Sequence, residues 1–301
     1  MRAEPENVER ALDVAIVSYR SRALLHACLQ SLLEYKPAGP MHVVVVDNDS
    51  RDGTAEMLGE DFPEVDSVVL SENRGFSAPT NIAIARGTAE YVLVLNPDTR
   101  MRPGVLDYLL DLMEDHPEVA ISGCRLERED GSFDHASRRS FPTPLGALGH
   151  FSGLGRNRWA PSALGQYRAP GTESGPVDAV NGAFMLIRRA AIEKVGLFDE
   201  DYWLYMEDLD LCYRLAEAGW IIWYSPQVAI THVKGGSSGP NRLPRVNYAF
   251  HYGMYRFYRK HYAPKRSQLF NSLIYGGIAL KLCLSIVRSA LARRVLPLFR
   301  S

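Results

Sequence analysis

The stretch YMEDLDLCYR, residues 205–214, sets Glu207, Asp208 and Asp210 among side chains that favour burial. Carboxylates crowded in this way are costly to desolvate unless a cation stands nearby. Three chemistries fit: the solvated first turn of a helix, a metal site, or a general base. If a helix starts near Met206, Asp210 and Arg214 are four residues apart and pair on one face. Glu207 and Asp208 then fall in the first turn, where the helix dipole favours negative charge. That explains one acid more readily than two beside Tyr202, Trp203 and Tyr205. A carboxylate in an aromatic-walled cleft is a candidate general base, so all three readings stand.

Other polar clusters close apolar runs. In VVVVDNDSRDGT (43–54), Asp47 and Asn48 can bond a base or ribose, and Asp52-Gly53-Thr54 reads as a turn into a helix; an ordinary polar turn fits equally. In SENRGFSAPTN (71–81), Asn73 and Gly75 make a tight turn and Asn81 lies inside the next helical segment. LVLNPDT (93–99) carries Asn96 and Asp98 two residues apart, which on extended chain point the same way. Such a pair can hold a hard divalent cation together with a ligand's phosphates. In THVKGGSSG (231–239), His232 ends a strand before a glycine/serine loop whose N–H groups and Lys234 suit phosphates; a structural His fits as well. There is no G-x-x-x-x-G-K-[ST] and no G-x-G-x-x-G after the first strand, so a P-loop NTPase or dinucleotide oxidoreductase lacks its phosphate-binding device.

The elements that must position these groups are legible upstream of residue 125. Short apolar runs at 12–18, 42–46, 67–70, 91–95 and 119–123 read as buried strands, and helical segments fall at 21–36, 53–59, 77–87 and 103–115. This alternation predicts an α/β fold with a largely parallel sheet covered by helices. In such sheets ligands gather at the carboxyl ends of the strands, where the polar clusters lie. Residues 126–180 lose periodicity and read as a long excursion, either an acceptor-facing lid or a passive surface insertion. Order returns with a strand running into a short helix over 177–196, then strands IIWYS and VAITHV.

The composition, 46% hydrophobic and 23% charged over 301 residues, supports one large domain or two fused lobes. Net charge is −1, but unevenly spread: residues 218–301 carry thirteen Lys/Arg and no Asp or Glu, leaving the first 217 residues at −14. A basic tail on an acidic body predicts an anionic partner. The four cysteines are scattered, with no C-x-x-C, which points away from zinc or a disulfide framework and towards a reducing cytosol. The polar N-terminus lacks the apolar core of a signal peptide. Residues 248–266 are aromatic and basic; 269–299 are mostly apolar, with Gly277, Lys281, Ser285, Arg288 and Ala292 forming one polar stripe. The central lysine argues against a spanning helix. The expectation is C-terminal basic amphipathic helices lying on a membrane surface, with packing in a domain or dimer as the other reading.

In this order the motifs resemble the inverting glycosyltransferases of family two, which have the nucleotide-sugar-binding GT-A fold. The resemblance spans 12–240 through VAIVSYR, VVVVDNDSRDGT, NRGFSAPTN, LNPDT, the segment from Val180 to Arg214, and HVKGGSS. It looks closest to rhamnosyltransferases acting on lipid-linked saccharides such as polyprenyl-diphosphate-GlcNAc. It divides the chain into a nucleotide-sugar half (11–125), an acceptor and catalytic half (126–246) and membrane-associating helices (247–301). It implies that Ser18, Tyr19, Asp47, Asn48, Asn73, Gly75, Asn81 and Asn96 line the donor pocket. Asp98 matches the metal-binding aspartate of a D-x-D element whose first Asp is here Asn96, and His232 completes a Mg²⁺ or Mn²⁺ site. Asp208 matches the base, with Trp203, Glu207 and Lys234 serving the acceptor or supporting the site. The implied partners are dTDP-L-rhamnose, a polyprenyl-diphosphate-linked acceptor and the anionic cytoplasmic face of the membrane, with no nucleic acid and a homodimer left open. Arg20 and Ala78-Pro79 depart from the family's commoner residues, the second bearing on the donor pocket. A galactofuranosyl or hexosyl donor is the nearest rival. A sugar nucleotidyltransferase would need a Gly-rich loop where SYRSRALL stands, and a binding protein with a dead site would not need Asp98, Asp208 and His232 intact.

Overall fold

The computed structural model describes residues 11–142, 173–233 and 244–295. Strands β1 (Leu12–Ser18), β2 (Met41–Asp47), β3 (Asp66–Val69) and β4 (Tyr91–Leu95) run parallel in the order β3-β2-β1-β4. They alternate with α1 (Arg22–Glu34), α2 (Thr54–Asp61), α3 (Ser77–Ala85) and α4 (Val105–Asp115). Side chains of β1 and β4 alternate between two cores: Val14, Ile16, Leu93 and Leu95 enter one, Ala15, Val92 and Val94 the other. Burial on both faces is why these strands read as continuous apolar runs.

The second half extends the same sheet. It adds β5 (Thr99–Arg100), β6 (Val119–Glu127), β8 (Gly175–Val177), β10 (Phe184–Arg188) and β11 (Ile221–His232), while β7 (Arg138–Arg139) and β9 (Ala179–Val180) pair separately. Helices α5 (Arg189–Val195) and α6 (Glu207–Glu217) follow. Strand β10 lies antiparallel between β4 and β6, so its first residue, Phe184, sits opposite Leu95 at the carboxyl edge of β4. Strand β11 pairs antiparallel with β5, which sets His232 opposite Thr99. Topology thus carries three distant sequence segments to one edge. The two strands expected at 221–225 and 228–233 are one strand whose register shifts between Ser225 and Ala229, around Pro226. Proline removes a ladder donor and is tolerated at such an irregularity.

Two expectations for the later segments change. The aperiodic region beginning at 126 is, as far as residue 142, an ordered corner: β6 continues to Glu127, and Asp134 caps a short turn, His135–Ser137, before β7. The part of the expected lid at 143–172, and Lys234 with its glycine/serine loop, lie outside the described residues.

The second change concerns the tail. Helix α7 (Pro244–Phe257) packs against α8 (Gln268–Val295), whose 28 residues rise about 42 Å. Of the polar stripe expected to face lipid headgroups, Ser285 instead faces α7, its Oγ 2.9 Å from Asn247 Oδ1, and Lys281 is half-buried. Ile274 and Ile278 pack on Tyr258, while Leu269, Leu273, Leu280, Leu284 and Val287 stand exposed. The helix therefore turns its apolar side outward. Over Gln268–Ser289 it is long and apolar enough to cross a membrane by length and composition, and only 11% of it is buried.

Candidate active site

Asp208 lies at the start of α6, after two consecutive left-handed residues, Tyr205 (φ 70°) and Met206 (φ 75°). Non-glycine residues in that region carry strain that the surroundings must hold, and such strain gathers at functional sites. Here α7 supplies the support: a Cβ on Gly253 would stand 2.8 Å from Tyr205 O, so only glycine admits this approach. Arg245 also covers the Trp203 ring at 4.1 Å. On the donor side, Phe76 N donates to Trp203 O at 2.7 Å. Gly75 (φ 83°) is required there twice over, because a Cβ would also meet Trp203 O at 2.0 Å.

Of the three crowded acids, Asp210 is structural. Its buried carboxylate accepts from Arg214 Nε (2.8 Å), Lys260 Nζ (2.9 Å) and His261 Nε2 (2.7 Å). Burial opposes its ionisation, but these hydrogen-bond partners hold its carboxyl well below the usual range. Among the described residues, Asp208 Oδ2 accepts from Gly182 N at 3.0 Å and from the Arg139 guanidinium, while Oδ1 accepts from Leu209 N at 2.8 Å. Beside it, burial and then the Asp208 charge push the Glu207 carboxyl well above its ordinary range. Arg139 pairs with Asp208 on the side away from Leu209 N.

Asp98 and His232 form the second cluster. Asp98 is buried, its Oδ1 makes no hydrogen bond, and that atom lies 3.3 Å from His232 Nε2. Val233 N donates to Asp98 O at 2.8 Å, fixing the β11 end beside the LNPDT turn. On the other side of the ring, His232 Nδ1 lies 3.5 Å from Asp134 Oδ2. Burial would lower the imidazole, but Asp134 and Asp98 outweigh it and push it up to about 9. Among the described residues no three metal-ligating side chains are preassembled. Asp98 Oδ1 and His232 Nε2 offer an oxygen and a nitrogen, a set that suits a divalent cation completing its shell with phosphate oxygens and water.

The segment Asn181–Ala183 ties both clusters together. Asn96 N donates to Ala183 O (3.0 Å), Gly182 N to Asp208, and Asn181 Nδ2 to Ala136 O (3.2 Å) in the corner that carries Asp134 and Arg139. These connections put a buried cation-ready pair and an arginine-paired carboxylate on one sheet edge.

The expected donor residues divide into surface and scaffold. Ser18, Asp47 and Asn96 lie at the carboxyl ends of β1, β2 and β4, and Tyr19 is exposed beside them. Burial raises the Asp47 carboxyl above its ordinary range. Asn48 spends its amide on Arg74 N (2.9 Å), Asn73 Oδ1 (3.2 Å) and Gly75 O (2.6 Å), so it builds the 73–75 turn. Asn81, expected to line the pocket, has its amide bonded to Phe198 N (3.1 Å) and Phe198 O (2.8 Å), which joins α3 to the segment that precedes α6. Arg20 has φ 51°, which explains why asparagine, more tolerant of that region, suits this position. Pro79 sits in the first turn of α3, where no intrahelical donor is lost. Asp134, Arg139 and Asn181 were not singled out from the sequence; the only signal was the Asn-Gly step at 181–182 before an apolar strand.

A mixed sheet with parallel β3-β2-β1-β4, an antiparallel β10 and an acidic carboxyl edge defines a GT-A glycosyltransferase fold. The solved mannosyltransferase of Pyrobaculum calidifontis in complex with GDP-Man and Mn²⁺ shares it, with TM-score 0.57, 17% identity and coverage of 97% of this chain and 81% of that one. Residues 10–242 match the family model described as glycosyltransferase like family 2, and the chain belongs to that family. The N-acetylglucosaminyl-diphospho-decaprenol L-rhamnosyltransferase of Mycobacterium tuberculosis is 33% identical over 299 residues, 94% of each chain. The rhamnosyltransferase WbbL of Escherichia coli is 28% identical over 68% of this chain and 78% of its own.

Proposed function

We propose that this glycosyltransferase moves L-rhamnose from dTDP-L-rhamnose onto a polyprenyl-diphosphate-linked GlcNAc, with inversion at the anomeric carbon, in the assembly of a cell-envelope polysaccharide. The observation that carries the reading is the end-to-end similarity to the mycobacterial rhamnosyltransferase. The edge geometry supports it. Asp208 Oδ1 has accepted one hydrogen bond where Oδ2 has accepted two, so Oδ1 keeps a lone pair for the proton of the attacking acceptor hydroxyl. Arg139 pairs with that carboxylate and orients it, and burial beside Asp208 raises the Glu207 carboxyl above its ordinary range. Asp98 and His232 would hold Mg²⁺ or Mn²⁺, which when bound neutralises charge on the departing nucleoside diphosphate. Ser18, Tyr19, Asp47 and Asn96 face the donor, and the Asn48–Asn73–Gly75 turn shapes its wall.

The test is a donor panel. Thermal unfolding with Mg²⁺ and each nucleotide sugar should show the largest stabilisation with dTDP-L-rhamnose, because binding to the native state raises stability by mass action. Transfer to polyprenyl-diphosphate-GlcNAc should follow the same order. Preferred stabilisation and transfer with a galactofuranosyl or hexosyl donor would replace the sugar in this reading while keeping the chemistry.

The acceptor is a membrane lipid, and the outward apolar face of α8 is the surface that meets it. Exposed Arg259, Lys265 and Arg266 stand at the head of that helix, where they suit the anionic headgroups of the cytoplasmic leaflet. Apolar side chains in the acyl boundary and cations at the headgroups are the arrangement of an interfacial anchor. Deleting 268–301 should release the protein from vesicles containing anionic lipid in a sedimentation assay. Undiminished binding would contradict this placement and favour a second copy of the chain against α8.

A further inference from the structure

Asp134 belongs to no motif of the resemblance, yet it is almost wholly buried and held from several sides. Its N donates to Leu126 O (2.9 Å), and its carbonyl accepts from Ser137 N (2.9 Å) and Ser137 Oγ (2.6 Å). Its carboxylate is divided in labour. Oδ1 accepts from Ala136 N at 3.0 Å and caps the turn, while Oδ2 faces His232 Nδ1 at 3.5 Å. Across the ring, His232 Nε2 faces Asp98 Oδ1 at 3.3 Å. The side chains of Asp98, His232 and Asp134 are 9%, 9% and 2% exposed, so water does not set the ring's orientation.

An imidazole can offer a lone pair to a cation through one nitrogen only if the proton sits on the other, and the partner of that other nitrogen decides this. We propose that Asp134 is a positioning residue for His232: its Oδ2 takes the Nδ1–H, so that the Nε2 lone pair points towards Asp98 and a bound divalent cation. This rests on the reading that Asp98 and His232 hold the cation. The pairing makes the ordered corner after β6 part of the donor site, because the same corner sends Arg139 to Asp208.

Two substitutions separate positioning from capping. Asp134→Asn keeps an oxygen for Ala136 N but turns an amide N–H₂ towards Nδ1. Nδ1 must then accept, which places the proton on Nε2 and closes the lone pair to metal. Asp134→Ala loses the cap and the charge but forces no tautomer. Mn²⁺ binding to the full chain, followed by electron paramagnetic resonance of the free ion, should weaken about 10–100-fold in the Asn variant, the scale for loss of such a partner. The Ala variant should lose no more than the Asn variant, although it unfolds at lower temperature without metal. Mn²⁺ affinity near wild type in Asp134→Asn, with a loss confined to Asp134→Ala, would overturn the proposal and leave Asp134 a cap. Mn²⁺ binding unchanged by His232→Ala would instead remove the metal reading beneath it.

Discussion

Chelating divalent cations with EDTA should reduce sugar transfer to background, and Mg²⁺ or Mn²⁺ should restore it. In the proposed reaction the leaving group is a nucleoside diphosphate, and its departure concentrates negative charge beside an already acidic edge that includes Asp98, Asp134 and Asp208. Asp98 Oδ1 is buried there without a hydrogen bond, and His232 Nε2 is the nearest cationic partner. Removing one electrostatic stabiliser of developing charge typically costs about 10²–10³-fold in rate, and a divalent ion carries more charge than one hydrogen-bond donor. Asp98→Ala should therefore lose at least that factor and fail to recover with added metal. The pH dependence has a defined sign. Without metal, His232 titrates at about 9 and is protonated at pH 7, whereas a ligand must be neutral. Metal binding then releases a proton, and affinity should rise with pH until about 9 and fall as the solution is acidified. Calorimetry in buffers of different ionisation enthalpy reads that proton directly. Undiminished transfer in EDTA would contradict the metal assignment.

The sheet could be read in advance where burial is simple. Strands β1 and β4 are enclosed on both faces, so apart from Asp13 and Ser18 their residues are apolar and the runs stand out; the polar residues that follow them mark the ligand edge without further information. Asp98, Asp208 and His232, proposed to act here, stand out in the sequence because each closes such a run or opens a helix. Asp134 and Arg139 do not, because their contacts come from partners far along the chain; Arg139 and Asp208 are 69 residues apart. Nothing periodic marks a corner of that kind. Asn81 shows the opposite case. An asparagine in a helix beside a ligand edge looks free to bind, and the sequence does not reveal that its amide bonds the Phe198 backbone. The polar stripe of α8 is visible as a pattern, yet only the hydrogen bond of Ser285 to Asn247 shows that this part of it turns towards α7, with Leu280, Leu284 and Val287 outward.

Lys260 and His261 at Asp210 give the basic tail a role besides the proposed membrane contact. With Arg214 of α6 itself they converge on one buried carboxylate, and Gly253 of α7 braces the strained 205–206 turn. Helix α6, which carries the proposed base, is therefore fixed by the same C-terminal segment that leads into the apolar helix.

Asp208→Asn carries the other large effect. The substitution changes volume little and leaves an oxygen able to accept from Gly182 N, but it removes the charge that faces Arg139 and the group that takes the proton. General-base assistance contributes about 10²–10⁴-fold, so transfer should fall by that range while donor affinity changes little, since the residues expected at the nucleoside lie at the ends of β1, β2 and β4. The most direct measurement is a single-turnover assay of Asp208→Asn with saturating dTDP-L-rhamnose, Mg²⁺ and polyprenyl-diphosphate-GlcNAc, alongside thermal unfolding with and without the donor. Donor-induced stabilisation equal to that of the unsubstituted protein, with product formation slowed at least about 10²-fold, is the predicted result. Turnover close to that of the unsubstituted protein would contradict the assignment of Asp208 as the base.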